Sequence, residues 1–161
     1  MHKVLLSMVI VLIIGLCGCA GKEEVADTPE TVNAADLWVR ISQDDPYTEY
    51  AFWPGVEGIM DGNAPHGAFI QTFVNDKALE PTETGYPYGS LIVKENYMPD
   101  KTLAKLTMMY KVKGYDPQSG DWFWAVYNPD GTIEGEGRMQ SCIGCHSVRA
   151  DQDHVFLKNY K

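Results

Sequence analysis

The sequence predicts an α+β domain, in which an antiparallel β-sheet packs with helices. Four segments rich in β-branched and aromatic residues follow one another along the middle of the chain, and each is bounded by turn residues. Consecutive strands joined by short connections prefer antiparallel pairing. Apolar residues at helical spacing precede these segments, and a short helix is predicted after them.

The helical part comes first. Leu37 and Ile41 lie at helical spacing behind Asp36, which predicts a helix at the start of the domain. A second short helix is predicted over residues 47–53, where the break at Pro54 and the following glycine ends it.

The sheet follows, and its four predicted strands are residues 68–75, 90–97, 103–112 and 121–127. Glycine and proline mark the turns between them. The run Asn128-Pro129-Asp130-Gly131 is predicted to end the sheet. A closing helix is predicted to begin near Met139.

The N-terminus is typical of an export signal. Lys3 supplies a positive charge, and Val4 to Leu16 is an apolar run too short to span a bilayer comfortably. Leu16-Cys17-Gly18-Cys19 is similar to a bacterial lipoprotein box, so residues 1–19 are predicted to be a signal peptide with Cys19 as the lipidation site. Ordinary secretory cleavage without a lipid is the alternative. Either interpretation predicts an extracytoplasmic protein, on the periplasmic side of a bacterial membrane.

Two further segments follow the signal. Residues 20–35 are polar and acidic with no aromatic residue, which predicts a flexible tether. Residues 36–161 have the size of one domain that can bury one core and one cofactor. The formal net charge of −9 argues against nucleic acid as a partner and favours a positively charged redox partner.

The most informative motif is Cys142-Ile143-Gly144-Cys145-His146, the C-x-x-C-H pattern of covalent c-type haem attachment. Each thiol can add to a vinyl group of one haem, and His146 can bind the iron as the proximal ligand. A zinc knuckle would need two more Cys or His ligands at suitable spacing. A thioredoxin-like redox pair should lie near a βαβ pattern and would not need His146. The sequence therefore predicts one covalently attached haem c near the C-terminus, with the sheet facing it.

Several segments carry a resemblance to a known family. They are Ala64-Pro65-His66-Gly67 with the strand after it, Tyr86 to Glu95, Asp121-Trp122-Phe123-Trp124, and Ser141 to His146 followed by Asp153-His154-Val155-Phe156. In these segments the chain resembles the cytochrome P-460 family and the related beta-type cytochromes c′. The resemblance runs over nearly the whole domain, and it implies a haem cytochrome with an antiparallel sheet over one face of the haem.

The resemblance also implies a role for Lys94. In similar cytochromes the lysine of this strand is bonded to a meso carbon of the porphyrin. Lys94 could form such a bond only as the neutral amine, and burial lowers the pKa of a lysine in that direction. Strand alternation places Ile92, Lys94 and Asn96 on one face and Leu91 and Val93 on the other, so either face could be the buried one.

Other residues are weaker candidates. Glu134 and Glu136 lie in the region from which similar enzymes bring a carboxylate into the distal pocket as a proton acceptor, although a solvated loop is the other interpretation. His66 could touch a haem propionate or the iron, but beside proline and glycine it is interpreted as a loop residue. Four methionines are possible sixth ligands that are interpreted as packing residues: Met98, Met108, Met109 and Met139. The iron is thus expected to be five-coordinate, with His146 as its metal ligand.

Two functional hypotheses follow. In one, the protein is an oxidoreductase that oxidises hydroxylamine and passes electrons to an extracytoplasmic acceptor. In the other, it binds nitric oxide without turnover, as the beta-type cytochromes c′ do, and an electron-transfer cytochrome is a third possibility. The fold does not separate these functions, because the distal site decides between them. Membrane contact is expected only through the N-terminal lipid, and a homodimer is an open option.

Overall fold

The computed structural model describes residues 31–53 and 55–156. The predicted signal peptide, the lipidation site at Cys19 and most of the predicted tether lie outside the described residues. The helices are α1 (Ala34–Val39) and α2 (Gln140–His146), and the strands are β1 (Ala51–Phe52), β2 (Met60–Asp61), β3 (Phe69–Val74), β4 (Leu91–Tyr97), β5 (Leu103–Lys111), β6 (Trp122–Tyr127) and β7 (Ile133–Gly137). A π-helical turn, Arg40–Asp44, continues α1, and short 3-10 helices connect other elements.

The strands form one seven-stranded sheet in the order β1-β3-β4-β5-β6-β7, and β2 also pairs with β3. Every pairing is antiparallel. The α+β class is therefore confirmed. The four predicted strands correspond to β3, β4, β5 and β6, each within about a residue of its predicted bounds.

Two predictions about elements are wrong. The sheet does not end at the turn 128–131, because that turn makes a hairpin from β6 into β7. The second predicted helix over 47–53 is only a 3-10 turn, Tyr47–Glu49, followed by the short strand β1. The residues of β7 alternate glutamate with glycine and carry little β propensity, so their strand conformation comes from pairing with β6.

The two faces of the sheet have different partners. One face packs under α1, where Ala34, Leu37 and Ile41 contact a core that includes Leu91 and Val93. Asn33 caps α1 by accepting a hydrogen bond from the Asp36 amide at 2.8 Å. Because Ala34 is fully buried, the last residues of the predicted tether belong to the domain.

The opposite face of the sheet packs against the C-terminal segment. Its core contains Ile92, Met109, Trp122 and Trp124 from the strands, and Val155 from beyond α2. Within residues 31–53 and 55–156, no helix is both long and apolar enough to cross a membrane.

Candidate functional site

A cavity of about 560 Å³ lies between the second face of the sheet and α2. Its walls come from the loop before β3, the strands β4, β5 and β6, helix α2 and the segment after α2. The lining is mostly apolar and includes Ile70, Ile92, Met109, Trp124 and Phe156. An apolar cavity with a few converging polar groups is typical of a cofactor site.

Helix α2 brings the C-x-x-C-H motif to this cavity. Cys142 is partly buried, Cys145 is exposed, and both cysteines are free thiols that line the cavity. Burial raises the pKa of the Cys142 thiol. The motif residues predicted to hold a haem are therefore brought together at one wall.

His146 ends α2 with its imidazole inside the cavity and only 8% exposed. Its Nδ1 lies 2.6 Å from the carbonyl oxygen of His154. A carbonyl oxygen only accepts, so Nδ1 carries the proton and Nε2 carries the lone pair that a metal needs. Trp124 and Phe156 contact the ring edge to face, at centroid distances of 4.7 and 5.0 Å. Burial lowers the pKa of His146 to about 4, which keeps the ring neutral.

Lys94 lies on the cavity face of β4, paired with Thr72 of β3 and Thr107 of β5. The question that strand alternation left open is thereby answered, since Leu91 and Val93 belong to the core under α1. Burial lowers the pKa of Lys94 to about 8. An amine with that pKa is neutral much more often than an ordinary lysine, as the predicted chemistry requires.

His66 also lines the cavity, although its sequence context predicted a loop residue. Its loop is closed by a hydrogen bond from the Gly62 amide to the Ala68 carbonyl at 2.8 Å. Gly67, at φ +89, lets this loop lie against Tyr97, where a Cβ would come within 2.6 Å of the Tyr97 carbonyl oxygen. Burial and the nearby Lys94 charge lower the pKa of His66 to about 4, so its ring is neutral.

The two candidate carboxylates are not in the cavity lining. Glu134 forms an ion pair with Lys105 at 2.5 Å. Glu136 accepts a hydrogen bond from the Ala34 amide at 2.6 Å, at the start of α1. Their contacts therefore serve the edge of the sheet and the helix N-terminus.

The four methionine candidates differ in whether they line the cavity. Met109 and Met139 line the cavity, and both pack in the core on the face of the sheet opposite α1. Met108 also borders the cavity, but it belongs to the core under α1. Met98 is 51% exposed and is not among the lining residues.

The site fits a c-type haem in its donor set. Two thiols and an imidazole with a free Nε2 converge on one mostly apolar cavity. Among the described residues, no group of three or more His, Cys, Asp or Glu side chains is arranged to hold a metal ion. A porphyrin supplies four equatorial nitrogens of its own, so the protein needs to supply only the axial ligands of a haem iron.

Comparison with known proteins decides the family. The model of the family Cytochrome P460 matches residues 48–157, which is most of the chain. The chain belongs to the cytochrome P-460 family. No curated protein matches the sequence.

Membership in the cytochrome P-460 family confirms the resemblance and supports a c-type haem cytochrome. The matched region begins before β1 and ends just after the segment that orients His146. It therefore includes the whole cavity wall from the His66 loop to Phe156. The sequence-based interpretation missed the cavity position of His66 and the contact of Asn96, whose Oδ1 lies 3.0 Å from His66 Nδ1. Strand alternation held a signal for Asn96, because it places Asn96 on the same face as Lys94.

Proposed function

We propose that this cytochrome binds hydroxylamine or a related small nitrogen species at the haem, on the side opposite His146, and oxidises it. The observation that carries this proposal is the position of Lys94, whose side chain faces the cavity and whose pKa is lowered to about 8 by burial. Membership in the family adds weight, since similar cytochromes bond this lysine to the porphyrin. A bond from the Lys94 nitrogen to the meso carbon would replace one N–H and one C–H bond, with two electrons passing to the extracytoplasmic acceptor and two protons released. Such a bond would distort the ring and alter the electronic state of the iron.

Different residues of the chain would attach the haem and bind its iron. Cys142 and Cys145 would hold the haem covalently, and His146 would bind the iron through Nε2. A bound haem would supply a redox-active iron at which a small ligand coordinates. The apolar lining excludes bulk water, which strengthens the polar interactions inside the cavity.

A proton acceptor is needed as well, because hydroxylamine loses protons together with electrons when it is oxidised. No Asp or Glu lines the cavity within the described residues. His66 is neutral and faces the cavity, so it takes the role predicted for Glu134 or Glu136. The electrons would pass to an extracytoplasmic acceptor, and the net charge of −9 favours a cationic one. Lipid attached at Cys19 would hold the protein at a bacterial membrane on that side.

A second function is supported by the same cavity. A mostly apolar lining, with no carboxylate from the described part of the chain, also suits binding of nitric oxide without turnover, as in the beta-type cytochromes c′. The two functions differ in whether Lys94 is bonded to the haem.

The test combines an absorption spectrum with an intact mass of the purified holoprotein. We expect a strongly red-shifted ferrous Soret band, a mass below that of polypeptide plus unmodified haem c, and consumption of hydroxylamine when an oxidant is supplied. Lys94→Leu should give an ordinary c-type spectrum, lose oxidation and keep nitric oxide binding. The control is Lys105→Leu, which removes a lysine at the cavity rim and should leave the mass difference unchanged.

An ordinary spectrum and an unmodified mass in the wild type would exclude the oxidase. Nitric oxide binding would then be the function that the cavity supports.

A further inference from the structure

The rings of His66 and His146 both line the cavity and lie next to each other. Their centroids are 6.2 Å apart and their planes are nearly perpendicular, at 85°. The rings that pack directly on His146 come closer, with Trp124 at 4.7 Å and Phe156 at 5.0 Å. The ring of His66 is therefore further from His146 than either of these two rings.

The separation corresponds to two axial metal bonds. A metal–imidazole bond is about 2.0 Å long, and the ring centre lies about 1.1 Å beyond the nitrogen, so two ligands on opposite sides of one metal place their ring centres about 6 Å apart. The observed 6.2 Å agrees with that value. With an iron between the two rings at this separation, a ligand could bind on the side of His66 only after His66 has moved away from the metal.

Hydrogen bonding gives both rings the tautomer that a metal requires. The Nδ2 of Asn96 donates to the carbonyl oxygens of Lys94 at 3.1 Å and Lys105 at 3.2 Å. These two acceptors fix the orientation of the Asn96 amide, so its Oδ1 is the atom that faces His66. The Nδ1 of His66 lies 3.0 Å from that oxygen and must donate to it. The lone pair of His66 is consequently on Nε2, as it is in His146.

Hydrogen bonds from neighbouring strands hold His66 in position. Thr107 lies within 3.4 Å of the same Nδ1, so two neighbouring strands hold the ring. The loop that carries His66 is closed at its base and lies against β4, where the Ala68 amide donates to the Tyr97 carbonyl oxygen at 2.9 Å. An imidazole with one nitrogen anchored to a rigid sheet presents the other in a fixed direction.

We propose that His66 binds the haem iron through Nε2, opposite His146, in the resting protein, and that an incoming ligand must displace it. The expectation of a five-coordinate iron is thereby replaced with a six-coordinate resting state. Once displaced, the same Nε2 lone pair lies beside the bound ligand, where it can accept a proton. The proposal rests on haem attachment and not on hydroxylamine turnover, so either can fail without the other.

The first test is spectroscopic and uses the ferric holoprotein as purified. We expect a low-spin six-coordinate spectrum, a near-infrared magnetic circular dichroism band at the energy of bis-histidine ligation, and a paramagnetic resonance signal of the type given by perpendicular axial ligand planes. His66→Leu should convert the iron to the high-spin five-coordinate form, with haem still attached. In His66→Gly, added imidazole should restore the low-spin spectrum.

Two controls address the other ligands in the cavity. Met109→Leu preserves volume and should leave the low-spin spectrum unchanged. Lys94→Leu should also keep the near-infrared band of bis-histidine ligation. A high-spin wild type, a low-spin spectrum that survives in His66→Leu, or a near-infrared band typical of methionine or amine ligation would each overturn the proposal.

Kinetics supply a readout that a purely structural role would not change. If His66 must leave first, the rate of imidazole or nitric oxide binding to ferric protein should reach a plateau at high ligand concentration. The plateau should disappear in His66→Leu, where the rate should rise linearly with concentration. A linear rate in a six-coordinate wild type would contradict displacement.

Discussion

His146 takes its orientation from the turn that follows its own helix. The carbonyl oxygen of His154 accepts from Nδ1, and both Asp153 and His154 adopt left-handed backbone angles, at φ 55 and φ 64. This turn directs the carbonyl back towards α2. A metal-bound histidine whose second nitrogen donates to a carbonyl has a fixed tautomer and a fixed ring direction.

The first prediction at the residue scale concerns attachment. In the Lys94→Leu protein, replacing both Cys142 and Cys145 with serine should abolish the haem stain on a denaturing gel, because the thioether bonds are then the only covalent links that remain. Ser141→Ala is the matched control, and its stain should equal that of the wild type. A stain that survives in this triple variant would mean that a residue outside the motif and other than Lys94 bonds the haem.

Single residues show how far a sequence can be interpreted. The motif from Cys142 to His146 has one strong interpretation, so these residues could be predicted as a haem site from the sequence alone. His66 was not, because its role depends on Asn96 and Thr107, which are distant along the chain and meet it only through strand pairing. Sequence spacing carries no information about such a contact.

At the scale of elements, an ion pair joins the end of β5 to the C-terminal segment. Lys111 and Asp153 lie 2.5 Å apart, and both side chains are only 9% exposed. Asp153 also accepts from the Tyr86 amide at 2.7 Å, and its carbonyl accepts from Trp122 Nε1 at 2.8 Å. The residue next to Asp153 supplies the carbonyl that orients His146, so this contact stabilises the proximal wall.

The second prediction follows from that ion pair. Asp153→Asn tolerates the left-handed backbone but leaves the Lys111 ammonium buried without its counter-charge, which should lower the free energy of unfolding by about 3 kcal/mol. Denaturant unfolding of the holoprotein measures the change. Asp151→Asn, an exposed substitution in the same segment, should change it by less than about 0.5 kcal/mol.

The double variant Asp153→Asn with Lys111→Met separates charge from packing. Removal of the unpaired ammonium should recover part of the loss. Equal losses in the single and double variants would show that the Tyr86 contact, rather than the ion pair, carries the stability.

Elements were predictable where their own residues determine them. The strands β3 to β6 carry β-branched and aromatic residues, and turn residues mark their ends. The strand β7 was missed because its glutamates and glycines lack that signal, and only the backbone of β6 makes it a strand. The helix α1 begins earlier than predicted, because Ala34 is held by the Tyr127 hydroxyl and by Glu136.

At the scale of the whole molecule, the sequence predicts attachment to a membrane through lipid. Labelled palmitate should be incorporated into the protein, and Cys19→Ser should abolish the label while leaving the haem stain intact. Cys17→Ser is the matched control and should keep the label. Unlabelled wild-type protein released in soluble form would exclude the lipid anchor.

The whole fold was predictable as a class, and the cavity was not. Antiparallel order follows from consecutive strands with short connections. The cavity depends on which face of the sheet α1 covers, and alternation alone gives two faces without assigning them. Burial of Leu91 and Val93 under α1 leaves Lys94 to the other side.

The apolar cavity affects the abundance of this protein in a cell. Before the haem is attached, Ile70, Ile92 and Met109 would line an opening that water must fill. The contacts that a haem makes with both α2 and the sheet would also be missing. A covalently attached haem stays on the chain when it unfolds, but its apolar contacts in the cavity and its bond to His146 exist only in the folded state, so it stabilises the fold. Chains that miss their haem are then the ones that open and are degraded. The abundance of the protein should follow the supply of haem to its compartment, without any change in its synthesis.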